Sequence, residues 1–578
     1  MELTWNLKHL YINNKEWEND IAVLTNKLNE LGRLVDASTN TSESLKQFLK
    51  EFLSTYKIIE RSYCYKRRCI DLDSSNNDAK EEFTVILNLY GEYQEIENKF
   101  HKLLLENKEV ISKWINNELL YYKRYVELIF RKNDHLIEDT SIFKEYQLEL
   151  KRIKDKYQSI INNLHFGMVI IDGEEIEITR ENFDRLMLQS DKDTKKQIYE
   201  TYNNAFKECY EEIGNLYIAK LKNDIKLSSN ERYSSLLDKK LFELELSPNM
   251  LDNLIEVIND NLATYQEYLK TIQEELGSSK LEIFDLYTKT SESKIEVPFE
   301  KAIQIAQESL SIFGSEYLSI INQMLDEGWV DVYPKDNKRL MPSTSISYNG
   351  VPYVLMNYRN NFNSLKTYIH EIGHAVNVYL SKNKNNIEYF EFSLFITEVV
   401  AKVNELLFFD YVTTSSEDEK ERELYLKNII STMINSIYSQ MQLTEFEHTI
   451  IKMLENNEEV TPNTLNKVYE SIYFKYCNNM IEYNEFIKYG WCKVQHLVLQ
   501  ETYYLYQYTL GLALSSFIVK RIKDKEISVK EYYEFLSLGN TLSTEDSLLK
   551  LGINIYDKEY IKNAISNIEN KIKELKKQ

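Results

Sequence analysis

The stretch YIHEIGHAVNVYL, residues 368–380, sets two histidines four positions apart around a glutamate in an otherwise apolar run. On a helix, positions i and i+4 share a face, so His370 and His374 point the same way and their ring nitrogens can converge on one cation. Glu371 follows His370 with a rotation of about 100°. Its carboxylate then lies beside the ion rather than on it, within reach of a metal-bound water, where a general base is needed. The chain has only 8 histidines, and burying two of them at this spacing without a ligand would be costly.

A third ligand is expected from the segment YFEFSLFITEVVAKVNELLFF, residues 389–409, where Glu398 sits in an apolar setting and needs a partner. Two histidines and one glutamate form a common protein set for one catalytic Zn²⁺, leaving a fourth position open to water. Iron or manganese would accept similar donors, so the sequence does not fix the metal. Glu405 lies two turns along from Glu398 on the same face. It either accepts the free N–H of a ligand imidazole or is solvated. Thiol chemistry is a weaker reading: Cys492 lies four residues before His496, but no third orienting group is nearby. The five cysteines are odd in number and scattered without a CxxC pair, which suits reduced thiols.

The elements that must position these groups are mostly helical. With 43% hydrophobic residues but only 14 Gly and 6 Pro in 578 positions, the composition favours helices over sandwiches and barrels. The 43 tyrosines, among much Asn, Ile and Lys, require no function of their own. From about residue 15 to 160, as in EEFTVILNLYGEYQEIENKFHKLLLENKEVISKWI (81–115), apolar residues recur every three or four positions. The period changes at MVIIDGEEIEIT (168–179), where β-branched alternation around Asp172-Gly173 predicts a hairpin. A helical N-terminal domain over 1–185, ending in that hairpin, and a catalytic domain over 186–578 are expected. A second break, SISYNGVPYVLMNY (345–358), reads as strands on both sides of an Asn349-Gly350 turn just ahead of His370. It either offers an edge to an extended peptide or buttresses the helix.

The net charge of −21 argues against nucleic acid as a partner, because phosphate binding needs a basic surface. No run approaches 18 apolar residues and the N-terminus lacks a signal-peptide pattern, so neither a membrane partner nor export is expected, and the location expected is cytoplasmic.

HEIGHA, with Gly373, followed by FITEVVAKVNELL (395–407), resembles the M3 family of zinc metallopeptidases, most closely its oligoendopeptidase F branch. WNLKHLY (5–11), IFDLY (283–287), WVDVYPKDNKR (329–339), PYVLMNY (352–358) and YYLYQYTLG (503–511) resemble stretches of that family in the same order. The resemblance implies a nearly all-helical, ellipsoidal body split by a deep substrate channel, with zinc on the channel floor and activity on short unstructured peptides. It carries His370, His374 and Glu398 over as zinc ligands and Glu371 as the base. It also implies a His and a Tyr that stabilise the oxyanion within GWCKVQHLVLQETYYLYQYTLG (490–511), for which His496 and Tyr508 are the candidates. Tyr503, Tyr504 and Tyr506 are alternatives to Tyr508, each otherwise a core or wall residue. The chain departs from the family at Met341-Pro342-Ser343, where a Gly-Ala-Tyr-like stretch is usual, so substrate preference is open there. His448 is expected to be a helix-face or core histidine.

The expected activity is that of a zinc endopeptidase acting on oligopeptides. A non-catalytic helical peptide-binding protein and an exopeptidase with the same zinc chemistry are the alternatives. The sequence does not reveal the oligomeric state.

Overall fold

The computed structural model describes residues 3–137, 139–287 and 295–577. The chain is mostly helical, as the composition predicts, with one two-stranded and one three-stranded sheet among the described residues. It divides into two compact units, each assembled from three separate stretches.

The first unit comprises Met1–Asp134, Ser293–Thr414 and Ile518–Asn554. It opens with three long helices, Asn14–Leu34, Ser42–Leu72 and Asn77–Glu106. Each starts where a polar side chain takes up a backbone N–H left free in the first turn: Asn13 from Glu16, Thr41 from Ser44, and Asn76 from Ala79. Their apolar faces meet in a core that includes Leu49, Phe52, Tyr93 and Phe100, closed by Ile387 and Phe390 from the chain between the site helices. Phe52 stacks on Tyr93 at 4.5 Å, and Phe48 tilts against Phe100 at 4.6 Å. Truncating one of these buried rings would cost about 3–5 kcal/mol.

A small mixed sheet stands beside them. Strand β3 (Val330–Asp331) runs parallel to β5 (Val354–Leu355), and β4 (Ser343–Thr344) pairs antiparallel on the other side of β5. The N-terminal segment fastens this sheet: Val332 N–H donates to the Leu3 carbonyl at 3.1 Å, and Trp5 Nε1 donates to the Val354 carbonyl at 2.8 Å. Asp331, fully buried, is matched by Lys338 at 2.5 Å and Lys335 at 2.8 Å. Burial alone would raise its pKa, but these lysines and the Thr4 hydroxyl outweigh that and hold it below the usual carboxylate range.

The Asn349-Gly350 pair is not the hairpin turn expected from the sequence. The strands pair only at 343–344 and 354–355, with a further bond from Ser345 N–H to the Tyr353 carbonyl at 2.8 Å. Asn349 instead spends its amide on the Lys57 carbonyl and the Glu60 carboxylate, both at 2.8 Å. The loop is pinned to the Ser42–Leu72 helix, and neither residue adopts the positive φ of a tight hairpin turn.

The second unit comprises His135–Glu292, Ser415–Phe517 and Ile555–Gln578. Its hairpin is as expected: β1 (Met168–Ile171) pairs with β2 (Glu174–Glu177) in register, across Asp172 and Gly173 at φ 53° and 86°. Both central residues of such a turn need positive φ, which Asp-Gly supplies. The spine of the unit is the 39-residue helix Lys192–Asn230. A second core gathers Leu269, Ile272, Leu281, Tyr473, Cys477 and Ile481. One π-turn, Asn435–Ser439, joins the Glu419–Ile434 helix to the Gln440–Glu455 helix.

Candidate active site

Two helices of the first unit build the site. The Phe362–Lys384 helix begins at Asn361, whose side chain accepts the Ser364 N–H at 2.9 Å. The Leu394–Ser415 helix is apolar on nearly every face and correspondingly buried. Gly373 lets the two approach closely, because a Cβ there would stand 2.7 Å from the Ala401 Cα. Asn404, fully buried, ties them together by donating to the Ile369 carbonyl at 3.3 Å while accepting from the Tyr317 hydroxyl at 3.0 Å.

Across this seam His370, His374 and Glu398 converge. One donor atom from each lies within 4.8 Å of the others, and among the described residues this is the group of three that could hold a metal ion. The two Nε2 atoms are 3.0 Å apart, with the rings nearly perpendicular. Glu398 reaches His374 at 3.6 Å and His370 at 3.8 Å. Its side chain is 37% exposed, so it is not the buried carboxylate expected from its apolar neighbours.

Glu405 takes the orienting position. The His370 Nδ1–H donates to its carboxylate at 2.5 Å, which leaves the Nε2 lone pair facing the pocket. Burial would raise the pKa of Glu405, but Lys402 and His370 hold it well below the usual range. The pKa of Glu398 is likewise held down to about 2, because His374, His370 and Lys402 outweigh its burial. His370 is raised despite burial, by the Glu405 carboxylate first. Two converging imidazole nitrogens and one ionised carboxylate suit a divalent metal of the zinc type.

Glu371 is buried on the neighbouring face of the same helix. The Thr344 hydroxyl donates to its carboxylate at 2.6 Å and approaches its backbone carbonyl at 3.1 Å. Thr344 belongs to β4, the outer strand in the order β3-β5-β4. Sequence reasoning missed Thr344, Asn404 and Lys402. A two-residue edge strand leaves no periodic signal, and the other two are single polar residues on an apolar helix.

His496 and Tyr508 lie in the second unit. His496 stands at the start of the short His496–Leu499 helix, largely exposed, and the partial desolvation of its ring lowers its pKa. Tyr504 joins the pair: its ring lies parallel to His496, centroids 5.9 Å apart, and its hydroxyl accepts from the Tyr508 hydroxyl at 3.3 Å. Tyr503 and Tyr506 are buried. His448, expected to be a structural histidine, pairs through Nδ1 with the Tyr503 hydroxyl at 2.9 Å. Cys492 is fully buried, which pushes its thiol well above the ordinary range and makes it a poor nucleophile.

Among the described residues, no helix is long and apolar enough to cross a membrane. The chain is 26% identical over 582 residues to an oligoendopeptidase F homolog of Borreliella burgdorferi, covering 99% of this chain and 98% of that one. It is also 26% identical to the chromosomal oligoendopeptidase F of Lactococcus lactis subsp. cremoris, over 100% of this chain and 97% of the relative. The crystal structure of a Chlamydophila abortus chain assigned as a peptidase superposes with a TM-score of 0.89 at 23% identity, covering 99% and 97% of the two chains, and shares the fold. The model of peptidase family M3 matches residues 185–567. With a two-histidine, one-glutamate cluster built on an HExxH helix and a family model spanning most of its length, the chain belongs to peptidase family M3 and is a metalloendopeptidase.

Proposed function

We propose that this chain hydrolyses internal bonds of short, unstructured oligopeptides, with one zinc ion held by His370, His374 and Glu398. The observation that carries this reading is the convergence of those three donors, with Glu371 on the next face of the same helix. The relatives named oligoendopeptidase F support the substrate class. Zinc held by these three residues would supply Lewis-acid chemistry, polarising the scissile carbonyl and acidifying water. The chain's own residues do the rest. Glu371, steadied by Thr344, takes the proton of the attacking water and returns it to the leaving amine. Tyr508, with His496, donates to the oxygen that gains charge in the transition state. Partial burial lowers the pKa of His496, which favours its neutral form. Strand β4 presents its outer edge beside Glu371, where an extended peptide could add as a further strand.

Digestion of a mixed peptide library, with and without a zinc chelator, tests the reading. Internal cleavages of short peptides that stop on chelation are expected. Trimming from one terminus only, or cleavage indifferent to the chelator, would overturn it.

A further inference from the structure

The segment that carries Tyr504 and Tyr508 contains a strained residue. Tyr503 has φ 62°, a left-handed conformation that a bulky side chain adopts only when its surroundings enforce it. The enforcement comes from two consecutive residues of the Gln440–Glu455 helix. Glu447, 2% exposed, accepts the Tyr503 N–H at 2.8 Å, and His448 pairs with the Tyr503 hydroxyl at 2.9 Å. The preceding residue is held as firmly. The Thr502 hydroxyl donates to Asp224 at 2.5 Å and accepts from Lys220 at 2.6 Å, all three being buried on the Lys192–Asn230 helix or against it. At the far end, Thr509, fully buried next to Tyr508, donates to the Ser436 carbonyl at 2.7 Å within the π-turn. Such π-turns are frequent at functional sites.

Burying such polar groups is costly unless they are paired. Here they fix a backbone turn whose next residue, Tyr504, touches both His496 and Tyr508. We propose that Glu447, supported by Lys220, Asp224 and Thr502, is a positioning residue that locks the 502–503 turn so that Tyr504 and Tyr508 present their hydroxyls for catalysis. This rests on the reading of Tyr508 as an oxyanion donor. Glu447 itself does not touch substrate; it acts through the Tyr503 backbone.

The test uses the full-length zinc-loaded enzyme and an internally quenched peptide. Glu447→Ala should lower kcat about 10- to 100-fold, the scale of a displaced catalytic group, with KM and zinc content nearly unchanged. Glu447→Gln, which keeps a carbonyl oxygen for the Tyr503 N–H, should restore most of the loss. In a Tyr508→Phe background, Glu447→Ala should cost little more, because both changes remove the same contribution. Should Glu447→Ala fail to fold, Thr502→Val tests the same turn and should lower kcat in the same way. Full activity of folded Glu447→Ala, or a loss as large in the Tyr508→Phe background as in the wild type, would overturn the positioning role. Full activity of Tyr508→Phe alone would instead sink the oxyanion reading on which it rests.

Discussion

Gly373 and Ala401 meet at a distance only glycine permits: a Cβ on residue 373 would stand 2.7 Å from the Ala401 Cα. The helix carrying His370 and His374 is thereby held against the helix carrying Glu398. Gly373→Ala must push backbone against backbone, so a stability loss of about 1–3 kcal/mol is expected, together with weaker zinc binding as Glu398 moves away from the imidazoles. Thermal unfolding and zinc titration check both. Unchanged metal affinity in a destabilised variant would separate packing from ligation.

Glu405 accepts from His370 Nδ1 and lies outside the group of three donors. Glu405→Ala should leave the three donors in place yet weaken metal affinity by about 10- to 100-fold. Competition with a chromophoric chelator measures it, and an affinity equal to the wild type would show that the contact orients nothing.

The wholly buried Asp331–Lys338 pair anchors strand β3 of the sheet that carries Thr344. Lys338→Met leaves Asp331 with Lys335 and Thr4 but without its buried partner, so unfolding in urea should show a loss of about 3 kcal/mol. Changing Asp331→Leu at the same time should return part of that loss. If the double variant were no more stable than the single one, the cost would lie elsewhere.

Glu447 gives the fold a pH dependence of definite sign. Burial pushes its pKa from the ordinary 4.5 to about 7, opposed by Lys220, the Tyr503 N–H and the Tyr217 hydroxyl and assisted by Asp224. The folded chain therefore holds a proton that the unfolded chain has released across that window. Stability from this group is full below pH 4.5 and is lost as pH rises toward 7, by on the order of 3 kcal/mol. Glu447→Gln should flatten that part of the profile when unfolding is compared at pH 5 and pH 7; an unchanged slope would assign the dependence to other groups.

Parts of this structure are legible in single residues. Asp172-Gly173 announces its hairpin because both positions need positive φ and the flanking residues alternate. Asn349-Gly350 carries the same local signal and misleads, because the Asn349 amide finds Lys57 and Glu60 on a helix nearly three hundred residues away in the chain. The meeting of His370 and His374 follows from helical spacing, and that of Glu398 with them from its place on the next apolar helix. Thr344 could not be found that way, since β4 and β5 pair over two residues each and β3 joins β5 in parallel from a distant stretch. The grouping of the chain into two units likewise depends on contacts between separated stretches, to which periodicity is blind.

The proposed role of Glu371 as the base separates binding from chemistry. Glu371→Gln keeps the helix and an acceptor for Thr344 but cannot take a proton. It should bind metal as the wild type does and lose turnover of a quenched peptide by at least about 100-fold. Retained turnover would remove Glu371 as the base.

The ligand set is tested most directly by metal content. After dialysis against metal-free buffer, elemental analysis should find about one zinc per chain in the wild type and in Glu371→Gln, and roughly a tenth of that or less in His374→Ala and Glu398→Ala. A full zinc complement in His374→Ala, with the protein folded, would contradict a metal centre built from His370, His374 and Glu398.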